Sequence, residues 1–355
     1  MKEGHRTMTD DKEGKADDMD NATKRPLLVA VDDGYAQTKL YGEGADGNPV
    51  RFCMRSSVRP GRYGLGSISG TGSVGLYDTE DGPFTVSEDV EAEDTKFDGF
   101  HLSTMNRVLV NHALVGGGYA GQDVDIVTGL PVADFFLNGF KDEEKVGRKR
   151  DNLMKPVSRT DEDGVAKIVS VQVGCQAVAA WVDYALDDDL NEREGIDGAV
   201  AIVDIGGRTT DIATVIGGQS VDHARSGTAN IGVLDVYRAV EAEIGSKFKI
   251  RDRFALKEID NAVRTGKIKL WGKDQDVAEI VGSVVKEHEA KIAREIERRI
   301  GSGAAMNAVV FVGGGSALFR SIAGHFEHNG IMSDDPEFAN ARGLFKYARY
   351  QAKQD

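Results

Sequence analysis

Three short apolar blocks in the chain each end in glycine. Leu27-Leu28-Val29-Ala30-Val31 runs into Asp32-Asp33-Gly34, Ala199 to Val203 into Asp204-Ile205-Gly206-Gly207, and Ala308 to Val312 into Gly313-Gly314-Gly315-Ser316. A continuous apolar run of about 4–8 residues bounded by turn residues reads as a buried strand. Two of the blocks are followed at once by a return strand, Thr38 to Tyr41 and Ile212 to Ile216, so each predicts a hairpin. Their repetition predicts two similar halves. Helical spacing is clearest from Val277 to Ile300. There Val277, Ile280, Val281, Val284, Val285, His288, Ile292 and Ile296 form one stripe, and Glu287/Lys291 and Glu295/Arg299 stand four apart. Gly301 is the expected stop, and His288 reads as a packed core-edge residue rather than a ligand. Further helices are predicted from Ser103, as cap, to Ala113 and over 176–186, with a strand from Val124 to Leu130.

Charge modifies this picture in three places. Lys141, Lys145, Arg148, Lys149, Arg150 and Lys155 make residues 140–155 basic, but acids interleave, so a solvated helix is expected rather than a nucleic-acid patch. Between 78 and 98 stand Asp78, Glu80, Asp81, Glu88, Asp89, Glu91, Glu93, Asp94 and Asp98 against Lys96, a solvated surface or a face for a basic partner. Residues 1–25 are polar and charged, and a disordered tail is expected there. Over the 355 residues the net charge is −14, which argues against direct nucleic-acid binding, since that affinity rests on neutralising phosphates. No apolar run reaches the roughly 18 residues of a membrane span, and the N-terminus lacks the apolar region of a secretory signal. Cys53 and Cys175 are far apart and in no metal-binding pattern. A cytoplasmic protein with reduced thiols, and with no membrane partner, is expected.

The glycine turns carry the chemistry. Glycine lets backbone N–H groups approach phosphate oxygens without a Cβ in the way. An aspartate beside such a turn repels phosphate unless a cation stands between, and hydrated Mg²⁺ suits because it keeps several waters and needs few carboxylates. Lys39 can reach a phosphate as a point charge, and Thr209 and Thr210 offer hydroxyls. Neither a Walker P-loop nor a Rossmann glycine fingerprint is present. Each turn taken alone is an ordinary turn; the order and spacing of the three are what point to a site.

That set resembles the actin/heat-shock-chaperone/sugar-kinase superfamily. Asp32-Asp33-Gly34-Tyr35-Ala36-Gln37-Thr38-Lys39 is similar to its first phosphate loop and Asp204-Ile205-Gly206-Gly207-Arg208-Thr209-Thr210-Asp211 to the second. Val312-Gly313-Gly314-Gly315-Ser316 is similar to its adenosine motif, Gln176-Ala177-Val178 and Asn340-Ala341-Arg342-Gly343 to its connecting motifs. Within it, Asn111-His112-Ala113-Leu114, Val124 to Pro131, and Arg148-Lys149-Arg150 with Asn152 resemble the ParM/StbA group of plasmid-segregating, filament-forming ATPases, over about Leu27 to Ala348.

The resemblance implies an α/β actin-like fold: two lobes, each a mixed central sheet flanked by helices, around a nucleotide cleft. Lobe I is expected over 26–195 with a smaller subdomain near 50–150, lobe II over 196–335, and a C-terminal helix over 336–355 returning to lobe I. It implies ATP, or GTP, with Mg²⁺ held by Asp32 and Asp204 through water. Asp32, Gly34, Tyr35, Ala36, Lys39, Gly206, Gly207, Arg208, Thr209, Gly232, Gly313, Gly314 and Gly315 would bind the nucleotide, and Gln176 and Asp204 would act in slow hydrolysis. Gln176 would orient the water, since an amide is no strong base; the family often has Glu there. Tyr35 is the other departure, where a small hydroxyl residue is usual. The implied partners are further copies in a filament and a DNA-binding adaptor of the ParR type. Alternatives of the same superfamily are a kinase, a chaperone-type ATPase or another bacterial actin-like cytoskeletal protein.

Overall fold

The computed structural model describes residues 25–63, 74–88, 93, 95, 97–159, 164–194, 196–218 and 220–353. The expected tail lies outside them apart from Arg25, as do Asp89, Glu91 and Asp94 of the acidic segment.

The first half begins with β1 (Leu27–Asp33), β2 (Gln37–Glu43) and β3 (Pro49–Arg55), then β4 (Val58–Pro60), β5 (Gly75–Thr79) and β6 (Gly82–Val86). Next come α1 (Thr104–Gly116), β7 (Asp123–Leu130), α2 (Val132–Phe135), β8 (Phe136–Leu137), β9 (Phe140–Lys141), α3 (Glu143–Leu153), β10 (Ser158–Arg159), β11 (Lys167–Cys175) and α4 (Gln176–Ala185). One sheet runs β11-β7-β1-β2-β3, a smaller one β10-β5-β6-β4, and β8 pairs β9. The second half holds β12 (Ala199–Ile205), β13 (Thr210–Ile216), β14 (Ser220–Val221), β15 (Gly227–Ala229), α5 (Val233–Phe248) and α6 (Leu256–Thr265). It continues with β16 (Lys267–Leu270), β17 (Lys273–Asp276), α7 (Ala278–Ile300), β18 (Ala308–Val312), β19 (Gly330–Met332) and α8 (Ala339–Ala352). Its sheet runs β14-β13-β12-β18-β19, with β15 on β13, and β16 and β17 form a separate hairpin.

The unbroken apolar runs of β1 and β12 are explained by burial on both faces. Val29 and Val31 pack into the α1 side of the first sheet, with Val110 and Leu114, while Ala30 faces Ala179 and Leu344. In β12, Ala201, Val203 and Ile205 join the core under α5 and α7, and Val200 and Ile202 face Ala180 and Ala339. Helix α4 therefore lies between the two large sheets, Ala179 toward one and Ala180 toward the other, with α8 beside it. The two helices approach so closely that a side chain at Gly343 would run into the Ala179 carbonyl. Alternating faces of one small-residue helix thus join the two halves.

Ser103 caps α1, its hydroxyl accepting from the Asn106 N–H at 3.2 Å, and Gly301 ends α7 with φ of 63°. Two charge expectations are corrected. In α7, Glu295 pairs with Arg298 at 2.7 Å, because Arg299 is drawn off the helix to donate to the carbonyls of Ser226 (3.0 Å) and Thr228 (3.3 Å). The basic helix α3 is not solvated all round. Lys149 is fully buried, and its ammonium meets Asp33 Oδ2 at 2.6 Å. His288 is buried on its stripe, with Nδ1 2.9 Å from the Val284 carbonyl.

Candidate functional site

Both hairpins aim at one cleft. In the first, strand pairing places Asp32 opposite Lys39; in the second, it places Asp204 opposite Asp211. The loops touch, since a Cβ on Gly207 would collide with that of Ala36. The third glycine turn follows β18, the parallel neighbour of β12, so it emerges beside Asp204. Gly313 takes φ of 87°, a conformation that favours glycine, and a side chain there would strike the Asp204 carboxylate. The cleft so formed is lined by residues of both halves.

Most of the sequence-predicted residues line it: Asp32, Gly34, Tyr35, Ala36, Lys39, Gln176, Asp204, Gly206, Gly207, Thr209, Gly313, Gly314 and Gly315. Two of the expected residues stand outside the lining. Gly232 caps α5, where any Cβ would hit the Gly207 carbonyl; the first N–H groups of α5 are spent on the carbonyls of Gly206 (3.1 Å) and Gly207 (2.8 Å). Arg208 also stands outside the lining, donating to Asp98 at 2.9 Å with its guanidinium 5.1 Å from the Tyr35 ring centre. The Tyr35 ring itself turns to Phe100 and His101, at 5.2 and 4.6 Å between ring centres, which clears the loop.

At the floor, Lys39 Nζ stands 3.4 Å from Asp32 Oδ2, and Gln176 Nε2 donates to Asp32 Oδ1 at 3.2 Å. Burial alone would lower the Lys39 pKa, but Asp32 and then Asp204 raise it, so the ammonium is kept. Asp204 lacks such a partner. Burial first, then the Asp32 charge, push it up to about 7, against the pull of the Asn340 amide that donates to it at 2.7 Å. Burial likewise raises Asp211, against hydrogen bonds from Thr228 and Thr209. Asp33 behaves oppositely. Burial would raise it, yet Lys149 and then His101 hold it far below the usual range. At one end of the cleft Asp260 accepts from Tyr237, Arg264 and, across the mouth, Arg55 of β3.

Among the described residues no group of three His, Cys, Asp or Glu side chains could hold a metal by itself. The donor set fits a cation that keeps its water: two carboxylates, Asp32 and Asp204, electrostatically coupled, with one of them undercompensated. Sequence reasoning missed Asp211, Asn340, His101 and the Asp260 cluster. Asp211 and Asn340 lay within quoted motifs, whereas nothing local marked His101 or Asp260.

Comparison with known proteins now bears on this geometry. The family model "Plasmid segregation protein ParM, N-terminal" matches residues 27–185, and "Archaeal actin homologue MreB-like, C-terminal" matches 202–322. Residues 27–185 are thus similar to the ParM N-terminal family and residues 202–322 to the archaeal MreB-like one, each match spanning less than half of the chain. Solved structures agree on the actin-like fold. A pCBH ParM non-polymerisable quadruple mutant is 18% identical with a TM-score of 0.73, covering 92% of this chain and all of that one. The archaeal actin homologue Ta0583, in complex with ADP, is 23% identical with a TM-score of 0.70, at 91% and 99% coverage. A 15-stranded ParM filament from Clostridium botulinum gives 18%, 0.70, 92% and 99%. No curated protein matches the sequence. Among the described residues no helix of this actin-like chain is long and apolar enough to cross a membrane.

Proposed function

We propose that this chain is a cytoplasmic actin-like ATPase that assembles into nucleotide-dependent filaments and segregates plasmid DNA through a ParR-type adaptor. The observation that carries the ATPase reading is the convergence of Asp32, Lys39, Asp204 and Gln176, from both halves, on one glycine-walled cleft. Ta0583 holds ADP in the same fold, and a ParM of that fold forms filaments.

The residues divide the work. Gly206, Gly207 and Gly313 to Gly315 leave room for a nucleotide along the backbone, and Lys39 supplies fixed positive charge. Asp32 and Asp204 would hold hydrated Mg²⁺, which when bound neutralises phosphate charge. Gln176, fixed through its Nε2 on Asp32, has its amide oxygen left to orient a water. Because an amide is no strong base, slow turnover is expected, with positioning and electrostatics carrying catalysis. Cleft closure by ATP would favour a filament-competent form through differential affinity, and head-to-tail contacts that do not close would extend it.

Light scattering and negative-stain microscopy with Mg·ATP, Mg·ADP and a nonhydrolysable analogue test this. Filaments with ATP that the analogue sustains and ADP does not are expected. No calorimetric binding of any nucleotide would end the ATPase reading. The archaeal MreB-like match over 202–322 favours a second reading, a cytoskeletal filament without DNA cargo. Failure of the filaments to bind any adaptor–DNA complex would select it.

A further inference from the structure

His101 is a buried imidazole that the mechanism above does not use. It sits on the short turn Phe100–Leu102 ahead of α1, 2% exposed, edge-on to Tyr35 and Phe100. Nδ1 is 3.9 Å from Asp33 Oδ2, beyond hydrogen-bond reach, and neither ring nitrogen has a hydrogen-bond partner among the described residues. Asp33 has hydrogen bonds of its own, from Lys149 at 2.6 Å and Thr128 at 3.0 Å. Even a neutral imidazole must carry one N–H, and leaving it buried and unmet is unfavourable. Such a group has an acceptor in some other state of the molecule.

The location of that acceptor is restricted. His101 lines the cleft together with Tyr35, Pro131, Thr209 and Asp211. These residues are mutually close: Asp211 receives the Thr209 hydroxyl at 2.9 Å and the Val132 N–H, and feels the charge of His101. Asp260, Tyr237, Arg264 and Arg55 form a separate bonded group in the same cleft, and Asp32, Lys39 and Asp204 another. In the His101 group the Thr209 hydroxyl is spent on Asp211, which leaves the imidazole as the unspent donor beside that carboxylate. It fits the end of an anion that does not extend as far in a shorter ligand.

We propose that His101 reads the terminal phosphate, its Nε2–H donating to an oxygen of the third phosphate of a nucleoside triphosphate and to nothing on the diphosphate. It is a specificity-determining residue that separates the two nucleotide states, and it rests on the nucleotide-binding reading given above. The chain then has a triphosphate sensor in the first half, on the turn that leads into α1, beside the loop that Tyr35 occupies.

The test is calorimetric binding of Mg·AMPPNP and Mg·ADP to the full chain carrying H101F, which keeps the ring and removes its nitrogens, and H101Q, which restores an N–H. H101F weakens AMPPNP by about tenfold or more, the scale of one hydrogen bond to a charged group, and leaves ADP within about twofold. H101Q recovers most of the loss. Equal weakening of both nucleotides, or of neither, overturns the proposal while leaving nucleotide binding intact. Wild-type protein that binds neither nucleotide removes the nucleotide reading and this one with it. Should H101F fail to fold, ¹⁵N imidazole shifts of the wild-type chain decide, with the His101 signal assigned by its loss in H101Q. Movement of Nε2 with AMPPNP but not ADP supports the assignment, and identical spectra refute it.

Discussion

The two hairpins share a backbone plan and differ in what stands opposite each aspartate. Asp32 faces Lys39 across its strand pair, and Asp204 faces Asp211 across the other. The following residue differs too. Asp33 turns to the buried ammonium of Lys149, while Ile205 enters the apolar core of the second half. The first hairpin is therefore neutralised within the protein. The second leaves Asp204 and Asp211 with neutral hydrogen-bond donors only, and both are pushed toward protonation. One half of the cleft is a finished electrostatic structure, and the other is left short of positive charge. A repeated strand-turn-strand unit fixes the position of the carboxylate; the residue across the ladder fixes its charge.

Breaking the finished side costs the most. Lys149→Met leaves Asp33 charged and buried with only Thr128 and the neighbourhood of His101, a loss of about 3–5 kcal/mol for a severed buried pair. Denaturant unfolding should register it, and the double variant with Asp33→Asn should recover much of it, because no charge is then stranded. A Lys149→Met protein as stable as wild type would mean the pair is not the compensation it is taken to be.

That pair also shows where the sequence stopped being readable. The strands, both hairpins, the glycine turns and α7 follow from short-range patterns, and all appear close to their expected positions. Lys149 looked solvated because its neighbours Arg148 and Arg150 are basic and interleaved acids surround them; its partner is 116 residues earlier. The same distance hid Arg299, whose acceptors are carbonyls near 226 and 228, and His101, which no local period marks. Asp32 and Asp204 stood out because a turn glycine follows each two residues on. Asn340 reaches Asp204 from α8, 136 residues on, and the connecting motif that contains it marked no such contact. Local physics writes the scaffold, whereas buried polar pairing is settled by the assembled halves.

The unfinished side gives the next largest effect, with the opposite sign. Asp204 is held at about 7 in the fold against an ordinary value of 3.8, so the folded state binds the proton more tightly than the unfolded one. Without nucleotide or metal, its contribution to stability is full below about pH 4 and is lost as pH rises toward 7. Asp204→Asn should therefore stabilise the empty protein at pH 8, by roughly 2–4 kcal/mol, and do almost nothing at pH 3. It should also abolish Mg-dependent nucleotide binding. Paired thermal melts at the two pH values check this; a variant destabilised equally at both would show that Asp204 is already satisfied.

A smaller effect is expected where the halves meet at the mouth. Arg55 of β3 reaches Asp260 of α6, which also accepts from Tyr237 and Arg264 at 2.9 Å. Because two donors remain after Arg55→Ala, the stability loss should be about 1 kcal/mol. Release of a fluorescent ADP should be faster, since one clasp across the cleft is gone. Unchanged release would assign Arg55 to packing alone.

The smallest effect concerns a side-chain contact between the two loops. Arg208 of the second lies 5.1 Å from the Tyr35 ring centre of the first, and its other partner, Asp98, has a fully exposed side chain. An ion pair with so exposed an acid contributes little, so the ring contact should carry most of the coupling. A double-mutant cycle of Arg208→Ala and Tyr35→Ala is expected to give about 0.5–1 kcal/mol, while a cycle of Arg208→Ala with Asp98→Ala should give less than that. If the order is reversed, the loops are held by charge at the surface, and raising the salt concentration should then uncouple them. If the order stands, the coupling survives salt, and the two hairpins are joined by a contact as insensitive to ions as the Asp33 pair beneath it.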